Sequence, residues 1–454
     1  MDRTTERLST YACGLTYDDL PPEVVHQVKR TLIDTLGCAL GGYQAEPSRM
    51  ARALAERISC ATPARILGTT QSSSPELAAF ANGVMLRYLD YNDSYFSPGG
   101  GHPSDMIAAV LGAADPTTCD GRTLITAIVV AYEVFCRLSD QIVIGNLGWD
   151  QGMLSVIGAT CGAGVALGLD CDAMGHAIAL ASVSNLPLGA VRVGELSMWK
   201  GCATAYTSRA AIFSAQLAQL GMTGPEEPFD GRRGLWQQAV GQPVEIPPFD
   251  HDPTGFRILS TIFKFYPSQI HTQSPIGLAL ELRPQTPADD IAAIRIHSYA
   301  SATSTPDTEP EKWAPKTRET ADHSIPYLVA YALQHGPVTP DSFTEEDLQD
   351  PTIRRLISVM RIDEDPEFTQ RYSDEYNCRI EVVTTSGQHV SAATAYPKGH
   401  HQNPLSDAEV ATKFQNLASK LLTASQCQTA LENLWSIEQA PNLLPLFDPL
   451  VIEP

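Results

Sequence analysis

The chain is short of positive charge. Its 454 residues carry 31 Lys and Arg against 52 Asp and Glu, a formal net charge of −21. A nucleic-acid partner is not expected, because phosphate binding needs a basic face. Long-range attraction would not help an anionic ligand either, so any anion site must be built from a few local cations. No apolar run reaches the roughly 20 residues that a membrane helix needs, and no membrane partner is expected. The ten cysteines form no C-x-x-C pair, which removes zinc-ribbon and iron–sulfur spacings. Set in apolar surroundings, they read as small buried hydrophobes in a reducing compartment. H-E-x-x-H and G-x-S-x-G are both missing, and Gly162 and Gly164 form only a G-x-G that follows no strand. No metal and no cofactor is therefore expected. Residues 1–7 lead into no apolar segment, so no secretory leader is expected. The expected location is cytoplasmic, or the mitochondrial matrix in a eukaryote.

Aromatic residues are sparse too, at 7%, and small apolar residues dominate, which favours packed helices over a β-sandwich. Residues 21–42 open with Pro21-Pro22, place Val25, Val28, Leu32, Leu36 and Leu40 at helical spacing, and stop at Gly41-Gly42. Helical patterns recur at 47–57, 75–90, 104–115, 121–141, 151–168, 172–185 and 201–221. After about residue 265 the character changes. Ala292–Ser298 alternates like a half-buried strand, and 378–384 with 389–394 flank Thr385-Ser386-Gly387-Gln388 as a hairpin. Helical runs at 324–335 and 351–360 lie between them, and a helical tail runs from Ser406 to Ile437. The expected fold is mostly α: a large, discontinuous all-helical domain (1–265 and 400–454) and a smaller α+β lid domain (266–399). The polar stretch Ser301–Asp322 is a candidate mobile loop.

The chemistry concentrates between two apolar helices, at Leu89-Asp90-Tyr91-Asn92-Asp93-Ser94 and Gly99-Gly100-Gly101-His102-Pro103-Ser104-Asp105. An isolated acidic turn would be unremarkable. Three glycines leading to a histidine instead let backbone approach a ligand closely, beside the side chain that most easily trades protons near neutral pH. Asp150 and Gln151 open a helix rich in small residues, where a cap is the simplest reading and an anion site the other. Lys200 follows Trp199 at another helix start. In so acidic a protein it is a candidate carboxylate clamp, with Arg192 eight residues upstream. Lys264–Ser274, with His271 and Gln273, sits at the domain boundary that ligand sites favour. Asp322-His323-Ser324 precedes an apolar helix and reads as loop polarity plus an N-cap.

These segments, in this order, resemble the MmgE/PrpD family. The matching runs are L-D-Y-N-D-S with G-G-G-H-P-S-D (89–105), G-W-D-Q (148–151), G-E-L-S-M-W-K-G (194–201), G-M-T-G-P (221–225), K-F-Y-P-S-Q-I-H-T-Q-S (264–274), A-D-H-S-I-P-Y (321–327) and Y-P-K-G-H (396–400). The likeness spans nearly the whole chain. It implies a homodimer with a cleft between a helical and a lid domain, and metal-independent chemistry on small di- or tricarboxylates. The chain departs from the cis-aconitate decarboxylase pattern, which carries histidine where Asp150 or Gln151 stands here and again at Gln273. The Gln-Ile-His-Thr-Gln-Ser and Ala-Asp-His-Ser-Ile-Pro-Tyr runs look like the 2-methylcitrate dehydratase side. Phe96–Gly100 departs from that side as well.

The resemblance thus implies a dehydratase, a lyase acting on 2-methylcitrate or a related alkyl-citrate. An iminodisuccinate-type epimerase, a cis-aconitate decarboxylase-like lyase and a non-catalytic carboxylate-binding dimer are the alternatives. The expected catalytic residues are Asp90, His102, Lys200 and His271. Lys200 would hold the enolate-like carboxylate with help from Gln273 and the Gly99–Gly101 backbone, the two histidines would serve as acid and base, and Asp90 would orient one of them or act in proton transfer. Asn92, Ser94, Gly101, Asp150, Gln151, Arg192, Gln273, His323 and Tyr327 are the expected substrate-binding residues.

Overall fold

In the computed structural model, residues 1–97, 99–117, 119–249 and 255–453 are described. The helical patterns become helices close to their sequence limits: Pro22–Gly41, Glu46–Ala55, Pro75–Arg87, Ile107–Ala114, Gly121–Ser139, Gly152–Leu167, Cys171–Ser184 and Ala203–Gln219. One more, Arg3–Gly14, is capped by Asp2, whose carboxylate accepts the Thr5 N–H. Gly152–Leu167 is buried on nearly every side. Its small residues let neighbours come close: a Cβ on Gly162 would lie 2.8 Å from the Ala127 carbonyl oxygen. All ten cysteines are free, and no helix among the described residues is long and apolar enough to cross a membrane.

Two large hydrophobic cores divide the chain. One gathers residues from Leu8 to Phe263 and again from Leu405 to Leu450. The other runs from Ile262 to Ala392. The second contains a four-stranded sheet in the order Met360–Glu364, Ile291–Ser298, Cys378–Thr384, His389–Thr394. The first pair is parallel and the others antiparallel. The protein is therefore mostly α with a small mixed sheet, as composition and periodicity indicate. The sequence reading missed Met360–Glu364. The helical run expected to 360 stops at Ser358, and Met360 and Ile362 then bury alternate side chains on the sheet. One other expectation is corrected. The polar stretch 301–322 contains the short helices Pro310–Trp313 and Arg318–Ala321 and buries Thr320 and Asp322. Gly99–Gly101 pairs antiparallel with Tyr95–Ser97 in a short hairpin.

Candidate active site

The helix Pro75–Arg87 delivers the first charges. Arg87 closes its last turn, and Asp90, three residues on, takes a left-handed conformation with φ +51°. Asp is among the few side chains that tolerate this region, at a cost of order 1–3 kcal/mol that the surroundings must cover. Here they do so electrostatically. The Asp90 carboxylate is fully buried and lies 2.5 Å from Arg87 Nη1 and 3.2 Å from Lys200 Nζ, and it accepts a hydrogen bond from Lys264. Lys264 also donates to the Asp90 carbonyl at 2.8 Å. Burial alone would raise the Asp90 pKa, but Arg87, Lys200 and Lys264 hold it well below the usual carboxylate range. Asp90 is thus an ionised hub.

The second core supplies the facing wall. Asp322 Oδ1 and Oδ2 accept from Lys200 Nζ at 2.9 and 3.0 Å, and Arg318 Nη1 lies 3.3 Å from Asp322 Oδ2. Lys200 thereby joins a carboxylate from each core, Asp90 and Asp322. His323 gives its Nδ1 to Asp322 Oδ1, leaving Nε2 3.6 Å from Asp90 Oδ2. Asp90, Asp322 and His323 are also the kind of donor set that could hold a cation, but the Lys200 ammonium already sits between the two carboxylates.

His102 enters from the other side. Its Nδ1 lies 2.8 Å from the Asp93 carbonyl oxygen, which can only accept, so the ring proton sits on Nδ1 and Nε2 keeps its lone pair. That Nε2 is 3.7 Å from Asp90 Oδ1. Burial, with Arg87 and Lys264 nearby, pushes the His102 pKa well below the ordinary histidine value, so the ring is neutral. Burial likewise lowers Lys264 to about 8, with Arg87 and Lys200 adding to the shift and Asp90 opposing it. Four cations (Arg87, Lys200, Lys264, Arg318) meet three carboxylates (Asp90, Asp105, Asp322) here. In a chain of net charge −21, this is a local positive surplus.

Several expected residues build this frame. The Gln151 amide oxygen accepts the His102 backbone N–H at 2.7 Å, and its Nε2 reaches Asp105. Gly101 is glycine because a Cβ there would lie 1.6 Å from Gln151 Oε1. Asn92 donates to Ser104 and Asp105, and the Ser94 hydroxyl lies 3.1 Å from His102 Nδ1. Asp150 pairs with Arg192 at 2.6 Å, and Arg192 donates to the Lys200 carbonyl at 3.0 Å, so this pair orients the lysine's backbone.

Other expectations need correction. The Gln273 amide is committed to its own chain: its oxygen accepts from the Phe265 and Tyr266 N–H groups, and its nitrogen donates to Tyr266 and Ser268. It has no free group for a ligand. Tyr327 lies in the second core, with its hydroxyl on the Ser342 carbonyl. His271 stands beside the cluster: its Nδ1 meets the Tyr299 hydroxyl at 2.8 Å, and among the described residues it makes no hydrogen bond or ion pair with Asp90 or Lys200. The Gly99–Gly101 backbone serves a hairpin rather than an oxyanion. Arg87, Lys264, Asp105, Arg318 and Asp322 were not singled out as site residues from the sequence. Arg87 reads there as a last-turn basic residue, and Asp322 as loop polarity.

One further cation lies behind the hub. Lys413, on the tail helix Asp407–Ala418, donates to the Tyr91 carbonyl at 2.8 Å and the Lys264 carbonyl at 2.9 Å. Its Nζ is 2.7 Å from Asp34 Oδ1 and lies over the Tyr91 ring. It ties together the two segments that carry Asp90 and Lys264.

Two hydrophobic cores, with a buried cluster of charged side chains assembled where they meet, define a two-part helical protein built around a polar centre. Comparison with known proteins is specific. Residues 6–246 match the MmgE/PrpD N-terminal domain and residues 266–437 the MmgE/PrpD C-terminal domain, and the chain belongs to this family. A 2-methylcitrate dehydratase from Cupriavidus necator is 28% identical over 420 residues, covering 85% of this chain and 82% of that one. A mitochondrial 2-methylcitrate dehydratase from Yarrowia lipolytica is 26% identical, covering 82% and 75%. A cis-aconitate decarboxylase from Mus musculus is 24% identical, covering 95% and 89%.

Proposed function

We propose that the chain is a lyase that removes water from a small hydroxy-polycarboxylate, 2-methylcitrate or a close alkyl-citrate relative. The observation that carries this reading is the Asp90 hub: a buried surplus of cations beside a neutral histidine whose Nε2 lone pair is free. In the proposed reaction, His102 Nε2 takes the proton α to a carboxylate. The charge that develops on that carboxylate is met by Lys200, which exchanges part of its bonding to Asp322 for the substrate. The β-hydroxyl leaves as water, protonated by Lys264, which donates only to Asp90 among the described residues and whose pKa of about 8 keeps it charged at neutral pH yet ready to release a proton. Asp90 and Asp322 hold the two lysines in place.

The α+β part (266–399) is read as a lid over the helical part (1–265 and 400–454), since Asp322 and His323 reach the hub only when the two parts meet. No metal is assigned a role, because a divalent cation between Asp90 and Asp322 would have to displace the Lys200 ammonium. We also read the protein as a homodimer. Leu188, Val193, Trp199, Phe213 and Leu220 are exposed apolar side chains within residues 188–220, and such surfaces mark association sites. Light scattering should then give twice the 49.1 kDa chain mass. A cytoplasmic setting fits the ten free thiols.

The deciding experiment is incubation with 2-methylcitrate stereoisomers, citrate and longer 2-alkylcitrates, read by mass spectrometry for loss of water, with and without a chelator. Carbon dioxide release from cis-aconitate would instead make the protein a decarboxylase. Deuterium incorporation without alkene would make it an epimerase. Saturable binding without turnover would make it a carboxylate-binding dimer.

A further inference from the structure

The hairpin strand Tyr95–Ser97 has a ring at its centre that faces two ways. Phe96 stands edge-on to His102, with ring centroids 6.4 Å apart and planes at 89°, and lies 6.2 Å from His271. The same ring also lines a cavity of about 390 Å³. Tyr95, Asp140 and Arg257 wall that cavity from the helical part, and Tyr396 and His401 wall it from the segment returning to the tail. Its volume lies within the ordinary range for small-molecule sites. One of its acids is paired: Asp140 accepts from the Tyr95 hydroxyl at 2.6 Å and from Arg257 Nε at 2.8 Å. Ser260, Ser373, Asp374 and Gln402 complete a mixed, largely polar lining, so the chamber offers room for a chain rather than an apolar match to it.

We propose that Phe96 is a specificity-determining residue, a partition between the reacting centre and this chamber that limits the substrate's alkyl substituent to a small group. The inference rests on the dehydratase reading. With Phe96 in place, a substituent pointing away from His102 meets the ring. With the ring removed, the site opens into a space large enough for a longer chain.

The test compares kcat/KM for 2-methyl-, 2-ethyl-, 2-butyl- and 2-hexylcitrate in wild type, Phe96→Leu, Phe96→Ala and the double variant Phe96→Ala with Ser260→Trp. Ser260 also lines the chamber, so the introduced indole refills it. The expected result is a wild-type preference for the methyl compound. In Phe96→Ala the butyl-to-methyl ratio should rise at least about tenfold, the lower end for pocket discrimination by a methylene. Phe96→Leu should fall between, which carries the test if the alanine variant is unstable, and the double variant should revert. An unchanged chain-length ranking in both single variants overturns the proposal, as does a gain that survives refilling. If wild type dehydrates none of these compounds, the dehydratase reading falls by itself. The size limit is then read by calorimetric binding of the same series, where Phe96→Ala must still shift the ranking toward longer chains or the partition is refuted.

Discussion

Lys264 offers the sharpest test of the chemistry, because the fold has moved its proton into an experimentally convenient range. Complete burial, reinforced by Arg87 and Lys200, lowers it from 10.5 to about 8. That lowering corresponds to roughly 3 kcal/mol of differential interaction favouring the neutral amine. The sign is fixed by its proposed role. A general acid must be protonated, so activity should be flat below the folded pKa and fall as pH rises through about 8. A single titration predicts a drop of about tenfold per pH unit beyond it, leaving on the order of 3% of the plateau at 1.5 units above the pKa. The acidic side should lack a histidine limb near 6.5, because His102 is held neutral well below that value. Replacing Lys264 with arginine keeps the positive charge near Asp90 but supplies a group that does not release its proton in this range. Lys264→Arg should therefore lower kcat by about 10²-fold or more and abolish the alkaline limb. The assay is a pH profile of kcat/KM, which reports groups of the free enzyme, with circular dichroism confirming that each variant stays folded at each pH. An alkaline limb that persists in Lys264→Arg, or a wild-type profile flat to pH 10, would refute the assignment of the acid.

Three other outcomes are expected. His102→Gln should lower kcat by at least about 10²-fold with little change in KM or melting temperature; near-normal turnover with substrate bound would remove His102 as the base. Gly101→Ala would place a Cβ on Gln151 Oε1 and break its bond to the His102 N–H. It should lose about 1–3 kcal/mol of stability by urea unfolding, along with part of kcat, and wild-type values for both would contradict this packing. Lys413→Met strands the buried Asp34 carboxylate and should destabilise by about 3–5 kcal/mol, a loss that Asp34→Asn in the same chain should partly restore when unfolding is measured for the single and double variants.

The helices were legible because burial repeats every three to four residues in segments such as Pro22–Gly41, and because Pro and Gly punctuate them. Met360–Glu364 was not, because Ile353, Leu356, Ile357 and Met360 keep helical spacing across the point where the chain turns into a strand. In the site, Asp90, His102 and Lys200 stood out by loop composition and motif. Lys264 and Arg87 did not, since a lysine beside Phe265 and an arginine at a helix end look like ordinary solvated charges until the fold buries them against Asp90. Gln273 misled in the opposite direction. Its polarity within a motif suggested a ligand contact, whereas the turn at 265–269 uses both ends of its amide. Local sequence reports which groups are available, and only the three-dimensional pairing reports which of them remain free.

Lys413 carries an implication for how the molecule is made. The carbonyls it grips, on Tyr91 and Lys264, lie 322 and 149 residues earlier in the chain. Domains generally fold as units as they emerge from the ribosome, but the frame around Asp90 lacks this brace until the tail helix has been translated. A nascent chain that had released everything up to the sheet would still hold its buried charges without the brace, so a helix made after the sheet completes the frame.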